Sequence, residues 1–365
     1  MLEFQSSAIS GEEIQNLNDL LQSPFKFRQH WYSRQCEEFL ADSYPNSRLY
    51  FIDSIFNSAL ATLILMELKE GDEVIIPAFS PEWLLSAIKC VSATAVLADI
   101  EPQTLNICVK NLSAKITAKT KAVFITYFIG MTTDLDEILY TAARNDLALI
   151  EICSTGLGAT YKNKALGSLG NYGIIGFESL ASTNLLNGCV WIINNDSPKT
   201  LDKIAQLSNG ISNCITEPNA ALLLARLNIF NASQERLTLL WNYYHNMLKT
   251  LEEEKHLRIL KTLSQNIHNS SNFAVILPNA DTCQALKKHL FENQIDSQII
   301  QTELNYLESN LPNATQFKDC VLCLPIHANL AEEDILRVSL AINEFFGDDS
   351  SLEEFAEIKK ALLDD

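Results

Sequence analysis

The chain has 365 residues, 47% hydrophobic and 20% charged, with a formal net charge of -18. This content fits a globular, core-forming protein with one large and one smaller unit, and excludes a disordered chain. The acidity argues against nucleic-acid and anionic-membrane partners, which need a basic footprint, and no apolar run reaches the ~18 residues of a bilayer span.

The first stretch, "MLEFQSSAISGEE", is acidic and lacks the apolar region of a secretory leader. Nine scattered cysteines without a leader fit the reducing cytoplasm. "SGEEIQNLNDLLQS" is a helical pattern in which Ser10 and Glu13 form a capping box. The helix "WYSRQCEEFLADS" follows, then the strand "RLYFID" and the apolar helix "SALATLILMELKEG", closed by Gly71.

Strands and helices then alternate. "DEVIIPAF" precedes "PEWLLSAIKCV", and "TAVLADI" precedes a short helix over 112–118. "KAVFITYFIG" precedes "TDLDEILYTAARND", capped by Thr133 or Asp134, and "LALIEIC", "YGIIGFES" and "GCVWIIN" follow. These strands are near-continuous apolar runs, the pattern of a parallel sheet covered on both faces.

Beyond Asn195, "EPNAALLLARLNIFNASQERLTLLWNYYHNMLKTLEEE" reads as one kinked helix or two consecutive ones. Its Trp241-Asn-Tyr-Tyr group reads as packing between units. The strands "NFAVILP" and "DCVLCLPI" with the helices "ADTCQALKKHLFENQ" and "AEEDILRVSLAINEFF" make a small α+β unit, and "SLEEFAEIKKALLD" is a last helix. The divisions expected are an N-terminal segment 1–30, a large domain 31–240 and a small domain 241–365. Cys320 and Cys323 read as buried thiols, because no second pair or histidine cluster accompanies them. Glycine is scarce, 12 in the chain, and no GxGxxG or P-loop appears.

In order and spacing, "EGDEVIIPAFSPEWLLSAIKCVSATAVLADIEPQTLNI", the stretch from "ITAKTKAVF" to "NYGIIGF", and "CLPIHANLAEEDILRVSLAINEF" resemble the DegT/DnrJ/StrS family of sugar aminotransferases. The resemblance covers nearly the whole chain. It implies an α/β, fold-type I architecture with a large, mainly parallel seven-stranded sheet and a small C-terminal domain. It also implies pyridoxal phosphate (PLP) as cofactor, a homodimer, and nucleotide-linked keto sugars as substrates.

PLP chemistry needs a Schiff-base lysine, a carboxylate facing the ring nitrogen and polar groups holding the phosphate. By the resemblance, the lysine position falls on Ala181, and no lysine, arginine or histidine lies between Lys164 and Lys199. The aspartate position holds Ile152 and the ring-packing glutamine position Thr155. Glu151 is adjacent, yet neighbouring strand residues point to opposite faces. In the phosphate loop Ser54 persists, while the Gly-Thr pair becomes Ile55 and Phe56; with a one-residue shift, Asn57 and Ser58 offer polar groups. The ring-stacking aromatic falls on Pro81, the partner-reaching asparagine on Ser212 and its arginine on Cys214. Lys162 and Lys164 belong to a turn without catalytic duty.

Four positions keep open ligand readings. Trp83 is a ring contact or a core anchor. Glu178 binds a sugar group or caps a turn. Arg28 and His30, beside Lys26 and Arg34, receive a sugar-nucleotide phosphate or offset the protein's own acidity. His327 reads as structural. The expectation is a member without covalently bound PLP and without a metal. It would keep a sugar-nucleotide cleft in surface-polysaccharide metabolism, or serve as a non-catalytic partner of an active paralogue. An active enzyme with a non-standard site is the alternative.

Overall fold

A computed structural model describes residues 1–5, 9–177, 188–194, 200, 202–204, 215–261, 266–300 and 310–347. Glu178, Ala181, Ser212 and Cys214 lie outside the described residues, as does the expected last helix.

Three helices open the chain: α1 (Gly11–Gln22), α2 (Pro24–Arg28) and α3 (Trp31–Ala41). Ser10 Oγ accepts from Glu13 N, and the Glu13 carboxylate accepts from Ser10 N, the reciprocal cap expected there. α3 has no cap of its own, because His30 before it is left-handed (φ 52°). The buried Glu217 carboxylate takes that role across 185 positions of chain. It accepts from Tyr32 N, Ser33 N and Ser33 Oγ, where the helix dipole favours a negative charge.

The large sheet holds β1 (Arg48–Ile52), β2 (Glu73–Pro77), β3 (Thr94–Ala98), β4 (Thr120–Thr126) and β5 (Ala148–Cys153). A hairpin of β6 (Thr160–Tyr161) and β7 (Lys164–Ala165) comes next, and β8 (Tyr172–Gly176) and β9 (Cys189–Ile193) complete the sheet. The order is β1-β9-β8-β5-β4-β2-β3. From β8 to β3 the pairs are parallel, whereas β9 runs antiparallel to both β8 and β1. The apolar runs in β8 and β9 therefore record burial on both faces rather than strand direction, since every residue of both strands is buried.

Helices α4 (Ile55–Leu65), α5 (Glu82–Cys90), α6 (Val109–Lys115) and α7 (Leu135–Arg144, capped by Asp134) connect the strands. α4 starts earlier and ends earlier than its apolar run predicts. Ser54 caps it, and Glu67 turns left-handed (φ 56°) before Gly71 is reached. Successive β5 residues feed opposite cores: Leu149 and Cys153 pack with α1, α3 and α7, while Ile150 and Ile152 pack with α4 and α5.

The long helical pattern is two helices, α8 (Glu217–Asn228) and α9 (Phe230–Met247), broken at Ile229. Trp241 and Tyr244 of α9 pack inside the small unit's core against Phe273, not between units as the sequence predicts. The C-terminal half of α9 is itself an element of that core. The rest comprises α10 (Lys249–Glu253), β10 (Arg258–Ile259), β11 (Asn266–Ile267), β12 (Phe273–Ile276) and α11 (Ala280–Glu292). Then come β13 (Gln298–Ile299), α12 (Pro312–Phe317), β14 (Val321–Leu324) and α13 (Glu332–Phe346). Their sheet is antiparallel, ordered β10-β12-β14-β13.

The two units meet at a seam. Phe79, Ile100, Leu105 and Phe128 from one side pack with Leu260, Ile276, Leu311, Cys320 and Cys323 from the other. β11 pairs with β6 of the large unit, and Leu2 near the start of the chain pairs with Ile295 of the small one. No helix among the described residues is long and apolar enough to cross a membrane.

Candidate functional site

In an open α/β sheet, ligands bind beyond the carboxyl ends of the parallel strands. Here that edge is formed where Ile152 pairs with Thr126 and Ile174, Cys153 with Ile175, and Gly176 with Cys189. Cys189 also pairs with Ile52, so α4 begins at the same edge. The fold thus gathers Ser54, Ile55, Ile152 and Thr155, four positions separated by up to 101 residues of chain.

The start of α4 leaves backbone N–H groups open, as every helix start does, which makes it a natural anion site. Its polar side chains are engaged locally. Ser54 Oγ accepts from Asn57 N at 3.3 Å, and Asn57 Nδ2 donates to Asp53 Oδ1 at 3.0 Å. Ser58 Oγ donates to Ser54 O at 3.2 Å and lies 3.0 Å from Cys189 Sγ. Asp53, absent from the sequence expectations, sets a carboxylate beside the start of α4. Ile55 is 8% exposed and packs onto Gly176: a Cβ there would sit 2.7 Å from Ile55 Cδ1. Phe56 lies partly buried on the same apolar cluster.

Ile152 is 2% exposed and belongs to that cluster with Ile55, Ile150, Ile174 and Trp191. Its neighbour Glu151 points into the opposite face and is fully buried. The Glu151 carboxylate accepts from Tyr127 Oη (2.6 Å), Gly167 N (2.9 Å), Leu169 N (2.7 Å) and Gly170 N (2.6 Å). Burial pushes its pKa up, while the four donors pull it back down. Burial and this carboxylate together hold the Tyr127 hydroxyl well above its ordinary range. Glu151 thus organises the 167–170 turn. Tyr127 escaped the sequence reading, since a tyrosine ending a buried strand carries no signal of its own.

Thr155 uses its carbonyl to accept from Asn269 Nδ2 and from Ser271 Oγ (3.3 Å), fastening the edge loop to the small unit. Pro81 precedes α5 without a side-chain cap, and Trp83 packs partly buried on the Ile152 cluster. Arg28 is exposed on α2, and His30 Nδ1 lies 3.8 Å from Glu217 Oε1 at the start of α3. Neither shares a hydrogen bond or ring contact with Ile55 or Ile152. Lys162 pairs with Asp136 on the surface, and Lys164 is exposed.

Cys320 Sγ donates to Gln316 O at 3.5 Å, and burial pushes the Cys323 thiol up to about 12, the condition of inert core thiols. Among the described residues no group of three His, Cys, Asp or Glu could hold a metal. His327 is half-buried, which lowers its pKa. Chemically the edge offers an apolar floor and a helix start whose side chains are already spent. Among the described residues, the buried carboxylate beside it, Glu151, is turned to the opposite face.

A model of the DegT/DnrJ/EryC1/StrS aminotransferase family matches residues 8–343. GDP-perosamine synthase of Escherichia coli O157:H7 is 24% identical, over 93% of this chain and 97% of its own. The dTDP-3-amino-3,6-dideoxy-alpha-D-galactopyranose transaminase of Aneurinibacillus thermoaerophilus is 26% identical, over 75% and 79%. Among solved structures, aminotransferase TlmJ from Streptoalloteichus hindustanus superposes with a TM-score of 0.82 at 19% identity, covering 95% of this chain and 99% of that one.

Proposed function

We propose that this chain, which belongs to the DegT/DnrJ/EryC1/StrS aminotransferase family, has kept the family's scaffold without its lysine-dependent transamination. The family is PLP-dependent, and relatives of this chain act on nucleotide-linked sugars or in polysaccharide biosynthesis. On this reading the protein is a degenerate homologue in such a pathway, with a cleft for a sugar nucleotide and a homodimeric assembly.

The observation that carries the reading is the absence of any lysine between Lys164 and Lys199, a stretch that includes β8, β9 and the residues between them. The residues at that edge also do not suit PLP. A ring nitrogen stays protonated against a carboxylate, and Ile152 offers only methyl groups. A phosphate at the start of α4 would meet Asp53 and the Ile55 side chain packed on Gly176. Incubation of the purified protein with PLP, followed by borohydride reduction and peptide mass mapping, tests this. The expected result is no Schiff-base absorption band and no modified lysine. A single phosphopyridoxyl lysine in stoichiometric yield would overturn the proposal in favour of an active enzyme with a non-standard site.

A second reading makes the protein the non-catalytic partner of an active relative. It is favoured by an exposed apolar face on the first helices, where Leu21, Phe25 and Phe27 are 77%, 66% and 53% exposed. Co-purification with a family member that carries the lysine would select this reading over a homodimer.

A further inference from the structure

Beside the seam, on the small unit, a pocket of about 410 Å³ opens to solvent. That volume is in the range that takes a small organic molecule. Its floor is apolar: Leu257, Ile276 and Leu277 are all buried. Phe317, the last residue of α12, supplies an aromatic wall.

The charges at this pocket run against those of the protein. The Arg258 guanidinium stands 5.7 Å from the centre of the Phe317 ring, stacked as a cation on an aromatic face. It donates through Nη1 to Gln103 O at 2.9 Å and through Nη2 to Pro102 O, both on the far side of the seam. A guanidinium has five N–H donors, so these two bonds leave further donors for a ligand. Lys255 is exposed at the rim in a left-handed conformation (φ 65°). Among the described residues lining it, the one acid, Glu252, is already engaged: Oε1 accepts from Ile259 N at 2.9 Å and Oε2 pairs with Lys261. An aromatic and aliphatic cavity with two cations, in a chain of net charge -18, is a built preference for a negative ligand.

We infer that this pocket binds a small organic oxyanion, a carboxylate or phosphate carried on a flat apolar body. The body lies on Leu257, Ile276 and Leu277 beside Phe317, and the oxyanion meets Arg258 and Lys255. A phosphate without an apolar body gains only the charge contacts and binds more weakly. Because Arg258 also holds the 102–103 loop, an occupied pocket braces the seam.

Isothermal titration of the full chain with phenyl phosphate, benzoate and inorganic phosphate tests it. Saturable one-to-one binding of at least one aromatic anion is expected, with inorganic phosphate about tenfold weaker or more. The choice between phenyl phosphate and benzoate identifies the oxyanion. Lys255→Asn removes the ammonium while suiting the left-handed backbone, and weakens binding about threefold or more. Arg258→Gln weakens it about tenfold or more. Arg258 also braces the seam, so Lys255→Asn and Phe317→Leu carry the test if Arg258→Gln fails to fold. Absence of saturable binding by both aromatic anions would overturn the inference. So would binding unchanged in Lys255→Asn and Phe317→Leu.

Discussion

Ile55 and Gly176 are fitted to one another across the sheet edge, the isoleucine occupying the space that any side chain at position 176 would need. A Cβ on Gly176 would lie 2.7 Å from Ile55 Cδ1 and 3.1 Å from Ser154 O. Gly176→Ala therefore destabilises the fold by about 1–3 kcal/mol through overpacking. Ile55→Val withdraws the nearer atom and recovers part of that loss, the Ser154 contact remaining. A double-mutant cycle in urea should give a coupling above about 0.5 kcal/mol, and strict additivity would dissolve the relationship.

Ile152→Asp would restore the family's residue type by the resemblance, yet it would not restore a working site. The side chain lies in an apolar cluster with Ile55, Ile150, Ile174 and Trp191, whose buried indole N–H has no hydrogen-bond partner among the described residues. A carboxylate there exchanges its hydration for at most that one indole N–H and costs about 3 kcal/mol near neutral pH. The destabilisation should shrink in mild acid, where the carboxyl is protonated. A variant as stable as the parent at pH 7.5 would mean that water or a cation reaches position 152.

Much of this architecture was legible in the chain. The Ser10–Glu13 box, the Asp134 cap and the succession of strands and helices along the chain follow from local patterns, because each depends on residues a few positions apart. The antiparallel sense of β9 was not legible, since burial on both faces erases the alternation that direction would otherwise leave. That no lysine lies between Lys164 and Lys199 could be read from the chain alone, because the absence covers a whole segment. Tyr127 and Gly176 could not: their roles depend on partners 24 and 121 positions away that only the fold brings close.

Glu151→Gln tests the organising role of the buried carboxylate. The amide keeps one acceptor oxygen but turns an NH₂ group toward backbone N–H donors of the 167–170 turn. About 2–4 kcal/mol of stability should be lost, against about 1–2 kcal/mol for Tyr127→Phe, which removes one hydroxyl donor only. Urea unfolding of both variants checks the ranking. Reversal of the order would show that the tyrosine, not the carboxylate, holds the turn.

Asp99→Ala tests the seam. Asp99 accepts from Ile100 N and Ala314 N, both at 2.9 Å, and from Asn313 N at 3.0 Å. It thus caps α12 of the small unit from the end of β3 in the large one. Its removal leaves three N–H groups without their acceptor at a buried position, costing about 2–3 kcal/mol. Calorimetry should resolve two unfolding transitions in the variant, one per unit. A single transition with unchanged midpoint would mean that the apolar seam alone couples the units.

His268 makes the fold sensitive to mild acid. Its Nδ1 accepts from Ser270 N at 3.0 Å, so the neutral ring carries its proton on Nε2, and the ring packs 4.7 Å from Trp241. Burial lowers its pKa from 6.5 to about 4. The unfolded chain therefore binds a proton near pH 6.5 that the folded chain refuses until about pH 4, so stability is full above 6.5 and falls as pH drops through that window. The loss from this one group is bounded at about 3 kcal/mol. Carboxylates add their own acid loss, so the readout is the difference between the parent and His268→Gln, whose amide oxygen can still accept from Ser270. Urea midpoints at pH 7.5, 6 and 5 should fall more steeply for the parent. Parallel slopes would assign the acid sensitivity to the carboxylates alone.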